Sequence, residues 1–171
     1  YQALKNQTSG RNVAVGYNAG LDLTSGNQNA LVGNEAGENI TTGGNNVAVG
    51  HHALRANTTA SNNTAVGYAA LNAATTGYSC VGLGTSALAA NTTGADNVGI
   101  GHGALDANTT GSRNVGIGKN ALGVHTTGNN NTAVGHGAGD AMTTGAKNTI
   151  IGRFSGNQDS LDIRTSSGNV V

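Results

Sequence analysis

The fold is decided by a run of seventeen residues, NTAVGYAALNAATTGYS, which spans Asn63 to Ser79. The same pattern recurs without insertion or deletion from Asn12 to Gly156, and a partial copy, one residue shorter, precedes it from Tyr1 to Arg11. A period this strict indicates one structural unit stacked on itself, as in elongated repeat proteins. We number the positions of a copy from its first residue, and equivalent positions form a column. The nine copies, coils one to nine, begin at Asn12, Asn29, Asn46, Asn63, Cys80, Asn97, Asn114, Asn131 and Asn148.

The composition excludes several classes of function. The chain has 171 residues, of which 29 are Gly and none is Pro, and charged residues make up 9%. The formal net charge is zero, so no electrostatic footprint for nucleic acid is present. No apolar run approaches the roughly 20 residues of a membrane span, so we expect no membrane insertion. Because the chain starts within a repeat, we expect it to be a segment of a longer polypeptide.

Seventeen residues are too few for the two helices of a helical repeat, which needs about 33 or more. They suit one coil of a parallel β-solenoid, or β-roll, so we predict an all-β fold of about nine coils. Position four is always a branched aliphatic residue, and we predict that this column is the main core ladder. Its members are Val15, Val32, Val49, Val66, Leu83, Ile100, Ile117, Val134 and Ile151.

Position five is Gly in every copy, and position three is mostly Ala or Gly. Side chains alternate along a strand, so these two positions should share the face opposite the predicted core ladder. A face of such small residues predicts close approach of another backbone, either the far wall of the coil or another chain. The position-five residues are Gly16, Gly33, Gly50, Gly67, Gly84, Gly101, Gly118, Gly135 and Gly152.

Positions nine and twelve exchange volume. Where position nine is Gly, position twelve is Leu23, Ile40 or Met142, and where position nine is Leu, position twelve is a smaller or polar residue. We therefore predict that both positions reach one core pocket, which is filled once per coil. Asn opens eight of the nine copies, and a stacked Asn column can hydrogen-bond along the axis. Cys80 interrupts that column.

Two domains are expected. Residues 1–156 form the solenoid, and residues 157–171 leave the pattern. In this tail Leu161 and Ile163 alternate with charged residues, which predicts a different β element that caps the solenoid and leads into a further C-terminal domain.

No catalytic, metal-binding or cofactor-binding residue is predicted. His51, His102 and His136 share position six, but the column also holds Lys and Arg, which indicates a solvated face. His51 and His52 should point to opposite sides of a strand and make a poor chelate. The acids, among them Glu35, Glu38, Asp106 and Asp140, are scattered and form no dyad of the kind that glycosidases use.

The Thr-Thr pairs at positions thirteen and fourteen raise the alternative of an ice-binding solenoid. The two residues are adjacent, so we expect one to face outward and the other inward. A single outward Thr row is a weak basis for an ice-binding surface, which would need paired rows.

The run from Asn62 to Gly77 resembles the repeats of bacteriophage tail fibres and related trimeric adhesins, and its Thr64–Gly67 core is similar to the head repeat of trimeric autotransporter adhesins, whose period is shorter. The tail from Ser160 resembles the stretch that often precedes a self-cleaving chaperone domain in such fibres. The resemblance implies a left-handed parallel β-roll and three chains around one axis.

We therefore expect a non-enzymatic structural and adhesive segment of a homotrimeric phage tail fibre. Its partners would be two further copies of itself and a host-cell receptor or glycan, and its place would be the virion tail appendage. The alternatives are the head of a bacterial surface adhesin, at the cell surface, and a monomeric ice- or carbohydrate-binding β-solenoid.

Overall fold

The protein, seen in a computed structural model that describes residues 2–156 and 165–170, is a parallel β-solenoid. Each coil contributes one three-residue strand, and consecutive strands pair in parallel with a constant shift of seventeen residues. No helix occurs among the described residues. The prediction of an all-β solenoid with seventeen residues per coil is confirmed. The strands are β1 (Val13–Val15), β2 (Ala30–Val32), β3 (Val47–Val49), β4 (Thr64–Val66), β5 (Val81–Leu83), β6 (Val98–Ile100), β7 (Val115–Ile117), β8 (Thr132–Val134) and β9 (Thr149–Ile151).

The predicted core ladder is wrong, because the position-four column lies on the outer face of the sheet. Val15 and Ile151, at the two ends, are 60% and 62% exposed, and Val66 in the middle is 38% exposed. The other members are exposed or half-buried: Val32, Val49, Leu83, Ile100, Ile117 and Val134. The alternation of the strand was read correctly, but its two faces were assigned the wrong way round.

The inward side chain of each strand is the residue at position three, which is Ala or Gly in seven of the nine coils. A coil of seventeen residues has a narrow interior, and in coils three to seven the Leu at position nine already occupies it. At Gly82, for example, an added Cβ would lie 3.3 Å from Cγ of Leu71 and 3.1 Å from the carbonyl oxygen of Ala87. A branched aliphatic side chain at this position therefore needs space to be made elsewhere in the coil stack.

The two large residues at position three obey the same rule, since each packs over a glycine at position nine. A Cβ added at Gly37 would lie 2.9 Å from Cδ2 of Leu31, and one added at Gly139 would lie 2.8 Å from Cδ1 of Ile150. Both Leu31 and Ile150 are fully buried.

The exchange of volume between positions nine and twelve is confirmed. Leu23, Ile40 and Met142 are fully buried, as are the leucines that occupy position nine in the other coils. The core pocket is therefore filled by three cooperating columns, at positions three, nine and twelve. The position-nine leucines are Leu54, Leu71, Leu88, Leu105 and Leu122.

The position-five glycines turn the chain at the end of each strand. Their φ angles lie between 120° and 141°, a region that L-residues rarely adopt. In coils one to eight a Cβ at this position would also meet the backbone of the equivalent glycine in the next coil; at Gly67 the carbonyl carbon of Gly84 would be 2.6 Å away. These residues are Gly16, Gly33, Gly50, Gly67, Gly84, Gly101, Gly118 and Gly135. At Gly152 of coil nine only the φ of 120° requires glycine.

The Asn column is buried and joins the coils. The backbone N–H of Asn114 donates to Oδ1 of Asn97 at 2.9 Å, and its Nδ2 donates to the carbonyl oxygen of Gly128 at 2.9 Å. Its own Oδ1 accepts from the backbone N–H of Asn131 at 3.0 Å. Each amide thus replaces backbone hydrogen bonds that the turn between coils would otherwise leave unmade.

Cys80 breaks this ladder. Its backbone N–H still donates to Oδ1 of Asn63 at 2.9 Å, but its sulfur meets the carbonyl oxygens of Tyr78 and Gly94 only at 3.4 Å each. Burial raises the pKa of the Cys80 thiol, which keeps it neutral. A thiol is a weaker donor and acceptor than an amide, so the ladder is weakest here.

The end of the tail rejoins the stack. The backbone N–H of Asn169 donates to Oδ1 of Asn148 at 2.9 Å, and Val170 forms a parallel bridge with Thr149. Asn169 and Val170 thus occupy positions one and two of a further coil, 21 residues after Asn148 instead of seventeen. The separate β element predicted around Leu161 and Ile163 lies outside the described residues.

The reversed faces predict different costs for two leucines of coil five. Leu88→Ala removes a fully buried side chain and should lower the free energy of unfolding by about 2–5 kcal/mol. Leu83→Ala, on the outer face, should lower the free energy of unfolding of the single chain by about 1 kcal/mol or less. Any further loss of free energy would come from contacts with other chains and should therefore depend on protein concentration. Urea unfolding at two concentrations measures both. A concentration-independent loss for Leu83→Ala as large as that for Leu88→Ala would contradict the assignment.

Repairing the Asn ladder should stabilise the protein. Cys80→Asn restores an amide that can bond to both neighbouring coils, and we expect about 1 kcal/mol, or a rise of about 2–4 °C in Tm. The matched control, Asn114→Cys, creates the same break in the Asn ladder two coils after Cys80 and should lower Tm. Thermal unfolding followed by circular dichroism gives both values. A lower Tm for Cys80→Asn would show that the thiol is the better-packed residue.

Candidate interaction surface

The outer face of the nine-stranded sheet is a regular surface that includes every coil. Positions two and four of every coil point outward there, in two rows about 7 Å apart with steps of about 4.8 Å between coils. The rows carry mainly Val, Ile and Thr, and the single chain exposes Val13, Val15, Val47 and Val49 by 36–61%. A contiguous apolar strip on a rigid sheet is typical of a surface that contacts another molecule. We call it the outer strip.

Most of the charged residues of the solenoid lie at a different place, the turn that follows the strand. In coils two and three, Nε of Arg55 lies 3.0 Å from Oε2 of both Glu35 and Glu38. Nε2 of His52 lies 2.8 Å from Oε2 of Glu35, and Nδ2 of Asn18 donates to Glu38 at 3.2 Å. These residues come from positions seven and ten, so two of the acids that are scattered in sequence, Glu35 and Glu38, pair with bases of the next coil.

His51 and His52, which are adjacent in this turn, were expected to point to opposite sides of a strand, and that prediction is wrong. They follow the strand instead of belonging to it, and His52 has a φ of 61°. Their rings stack with centroids 3.7 Å apart, and the ring of Tyr68 in the next coil stacks on His51 at 5.4 Å. Because His52 has a left-handed backbone conformation, its side chain does not point to the side opposite His51, as it would in a strand.

A second charged group lies in the same turn of coils six to nine. Burial raises the pKa of Asp106, and the charge of Asp140 raises it further, whereas His102 lowers it. Burial likewise raises the pKa of Asp140, opposed by His136. The proximity of Asp106 and Asp140 is not evident from the sequence, because Gly123 lies between them in column ten. An Oδ1 atom of Asp140 lies 2.7 Å from the place where a Cβ of Gly123 would be.

The two residues of each Thr pair differ in exposure, although neither is fully buried: position thirteen is half-buried in seven coils and exposed at Thr58. The position-thirteen hydroxyl donates to the carbonyl oxygen of the equivalent Thr in the next coil, as Thr92 does to Thr109 at 3.0 Å. The position-fourteen residue, such as Thr93, is exposed. One outward row of hydroxyls results, with no second Thr row beside it in the pair.

One titratable group lies inside the coil. His125, at position twelve, is fully buried, and its Nε2 lies 2.9 Å from the carbonyl oxygen of Gly128. Its Nδ1 has no hydrogen-bond partner among the described residues. Burial lowers the pKa of His125, opposed by the carbonyl groups of Gly128 and Met142. The same position holds Asn in coils three, five and six, where Nδ2 of Asn108 donates to Gly111 at 3.0 Å.

Comparison with models of protein families, with curated proteins and with solved structures finds no match for this chain. In the part of the chain that the structure describes, no three His, Cys, Asp or Glu side chains are grouped to hold a metal ion. No helix of that part has the length and apolar character that a membrane crossing needs. Conclusions about function therefore depend on the surfaces themselves.

The buried histidine predicts a loss of stability in acid. The folded-state pKa of His125 lies below its unfolded value of about 6.5, so the unfolded chain binds the extra proton first as pH falls. The contribution is complete above about pH 6.5 and is lost below it, by at most about 1.4 kcal/mol per pH unit. Urea unfolding between pH 7.5 and 5 measures the slope, and His125→Asn should reduce it. An equal slope in His125→Asn would assign the effect to other groups.

Proposed function

We propose that the chain is a structural and adhesive segment of a homotrimeric fibre, with three outer strips packed against one another along a common axis. The exposed apolar strip is the observation that carries this proposal. Fully burying a Val, Leu or Ile side chain is worth about 1.5–3 kcal/mol. The strip offers two such residues in coils one, three, five, six and seven and one in each of the other four coils. Exposing them all to water along the whole solenoid would be costly.

A second copy of the same chain is the partner that fits this strip best. Only another molecule with the same rise per coil stays in register with rows that repeat every 4.8 Å or so over nine coils. Two or three identical rigid strips can interdigitate along their full length, whereas an unrelated globular partner meets only part of it. The number three comes from the resemblance to trimeric fibres and adhesins.

From the sequence, the small residues at positions three and five could line either the coil or a contact with another chain. Position three faces the coil interior and position five turns the chain, so neither is proposed as the trimer contact. We therefore place the contact between chains at positions two and four, on the outer strip. The column at position six is exposed in every coil and lies outside the strip, so it would stay free to contact a receptor in such an assembly.

The rigid stack suits a shaft or an adhesive head on the outside of a virion or a bacterial cell. Every coil pairs with its neighbours by backbone and side-chain hydrogen bonds, so length is gained without a flexible joint. We place the segment in a phage tail appendage, with a bacterial surface adhesin as the second setting.

One observation favours a second function, a monomeric ice-binding solenoid. The outer strip has two flat parallel rows, the arrangement that the Thr-Thr pairs lack, and coils four and eight carry Thr beside Val in it. A chain that stayed monomeric would keep this surface free for ice or for carbohydrate. The oligomeric state therefore separates the two functions.

The mass in solution tests the proposal. Light scattering after size-exclusion chromatography should give three times the chain mass of 16.7 kDa. Val66→Asp combined with Ile100→Asp places charges on the strip and should yield monomers that keep their β-type circular dichroism. The control, Thr76→Asp with Thr110→Asp, alters the exposed position-fourteen row of the same two coils and should remain trimeric. A monomeric wild-type chain would overturn the trimer and leave the second function.

A further inference from the structure

Column six changes character along the solenoid. In coils one to five it holds Tyr17, Asn34, His51, Tyr68 and Thr85, none of which is a permanent cation. In coils six to nine it holds His102, Lys119, His136 and Arg153, all exposed. These four residues form a basic stripe of consecutive coils on one face.

The backbone holds this stripe in register. The carbonyl oxygen of each stripe residue accepts from the position-seven N–H of the next coil: His102 from Asn120 at 2.9 Å, Lys119 from Gly137 at 2.8 Å and His136 from Phe154 at 2.9 Å. Neighbouring stripe residues are therefore one strand spacing apart, about 4.8 Å, and Lys119 and Arg153 are about 10 Å apart.

The packing around the stripe repeats every two coils instead of every one. Gly follows each His, at Gly103 and Gly137, and a larger side chain from the next coil fills the space. Oδ1 of Asn120 lies 2.7 Å from the place of a Cβ at Gly103, and the ring of Phe154 lies 2.5 Å from that of Gly137. The Phe154 ring in turn contacts His136, with centroids 4.9 Å apart, and the Arg153 guanidinium, at 4.6 Å.

The acidic residues near the stripe follow the same two-coil repeat. Asp106 and Asp140, at position ten of coils six and eight, lie within electrostatic range of His102 and His136 respectively. The described surface of coils six to nine therefore presents an imidazole and a carboxylate on one coil and a permanent cation on the next, twice over.

We propose that this stripe binds a linear acidic polysaccharide that carries one carboxylate on every second sugar. Lys119 and Arg153 would pair with carboxylates about 10 Å apart, and Asp106 and Asp140 would accept hydrogen bonds from the hydroxyl groups between them. The alternation favours a polysaccharide over a nucleic acid, because a phosphate on every nucleotide would meet the two aspartates. The inference rests on the adhesive part of the proposed function and does not require the trimer.

Binding should strengthen in mild acid. Burial raises the pKa of Asp106 and of Asp140, so protonation removes their negative charges from beside the stripe as pH falls. The pairing of Lys119 and Arg153 with carboxylates of the ligand then meets less repulsion. The charged groups near the two aspartates are His102, His136, Lys119 and Arg153.

Hyaluronan oligosaccharides, which carry a carboxylate on alternate sugars, are the probe. Biolayer interferometry with the whole chain should show binding at pH 5.5 that weakens at pH 7.5. Lys119→Gln with Arg153→Gln should weaken it about tenfold or more. The control, Arg113→Gln with Lys147→Gln, removes the same two charges at the same two-coil spacing from exposed column seventeen and should bind as wild type. Asp106→Asn with Asp140→Asn should remove most of the dependence of binding on pH.

Absence of hyaluronan binding at both pH values, an equal loss in the control pair, or tighter binding of oligo-dT than of hyaluronan would each overturn the inference. Light scattering on the same samples keeps the two proposals separate. A trimer that does not bind hyaluronan overturns only the stripe, and a monomer that binds it overturns only the assembly.

Discussion

The structure depends on one constraint, that residues seventeen apart lie over one another in adjacent coils. The buried Asn column enforces it, since each amide accepts from the backbone N–H of the next Asn and donates to a carbonyl group of the following turn. A slip of one residue would remove these bonds in every coil and leave buried polar groups without partners. Register, rigidity and the regular spacing of every surface row follow from this contact.

The narrow interior explains which predictions from sequence succeeded. The period set the coil length, the parallel pairing and the Asn ladder, because these depend only on recurrence. Burial could not be decided from hydropathy, since a strand with Val on one face and Ala or Gly on the other favours Val inside. Here the opposite wall supplies the volume through residues such as Leu71 and Leu88, so the small face turns inward. The pairing of Leu31 and Ile150 with position-nine glycines was the sequence signal for this reversal.

The faces of the solenoid have separate chemistry. The outer strip is mainly apolar, whereas most of the charged residues lie in the turn after the strand. Arg55 with Glu35 and Glu38 lies toward one end of the solenoid, and the basic stripe lies toward the other. The sequence could not group these charges, because His52 and its equivalents take left-handed conformations that change which side chains are neighbours. A long apolar face beside an exposed and variable one is what the proposed fibre segment needs in order to assemble and to adhere.

The stacking of coils is tested most directly by distances along the axis. Spin labels at exposed position-fourteen residues, in a Cys80→Asn background with unlabelled chain in excess, can be compared by pulsed electron paramagnetic resonance. Labels at Thr42 and Thr93 are three coils apart, and labels at Thr42 and Thr144 are six coils apart. We predict separations of about 14 Å and about 29 Å, in the ratio of one to two. Equal separations, or a second distance shorter than the first, would contradict the solenoid.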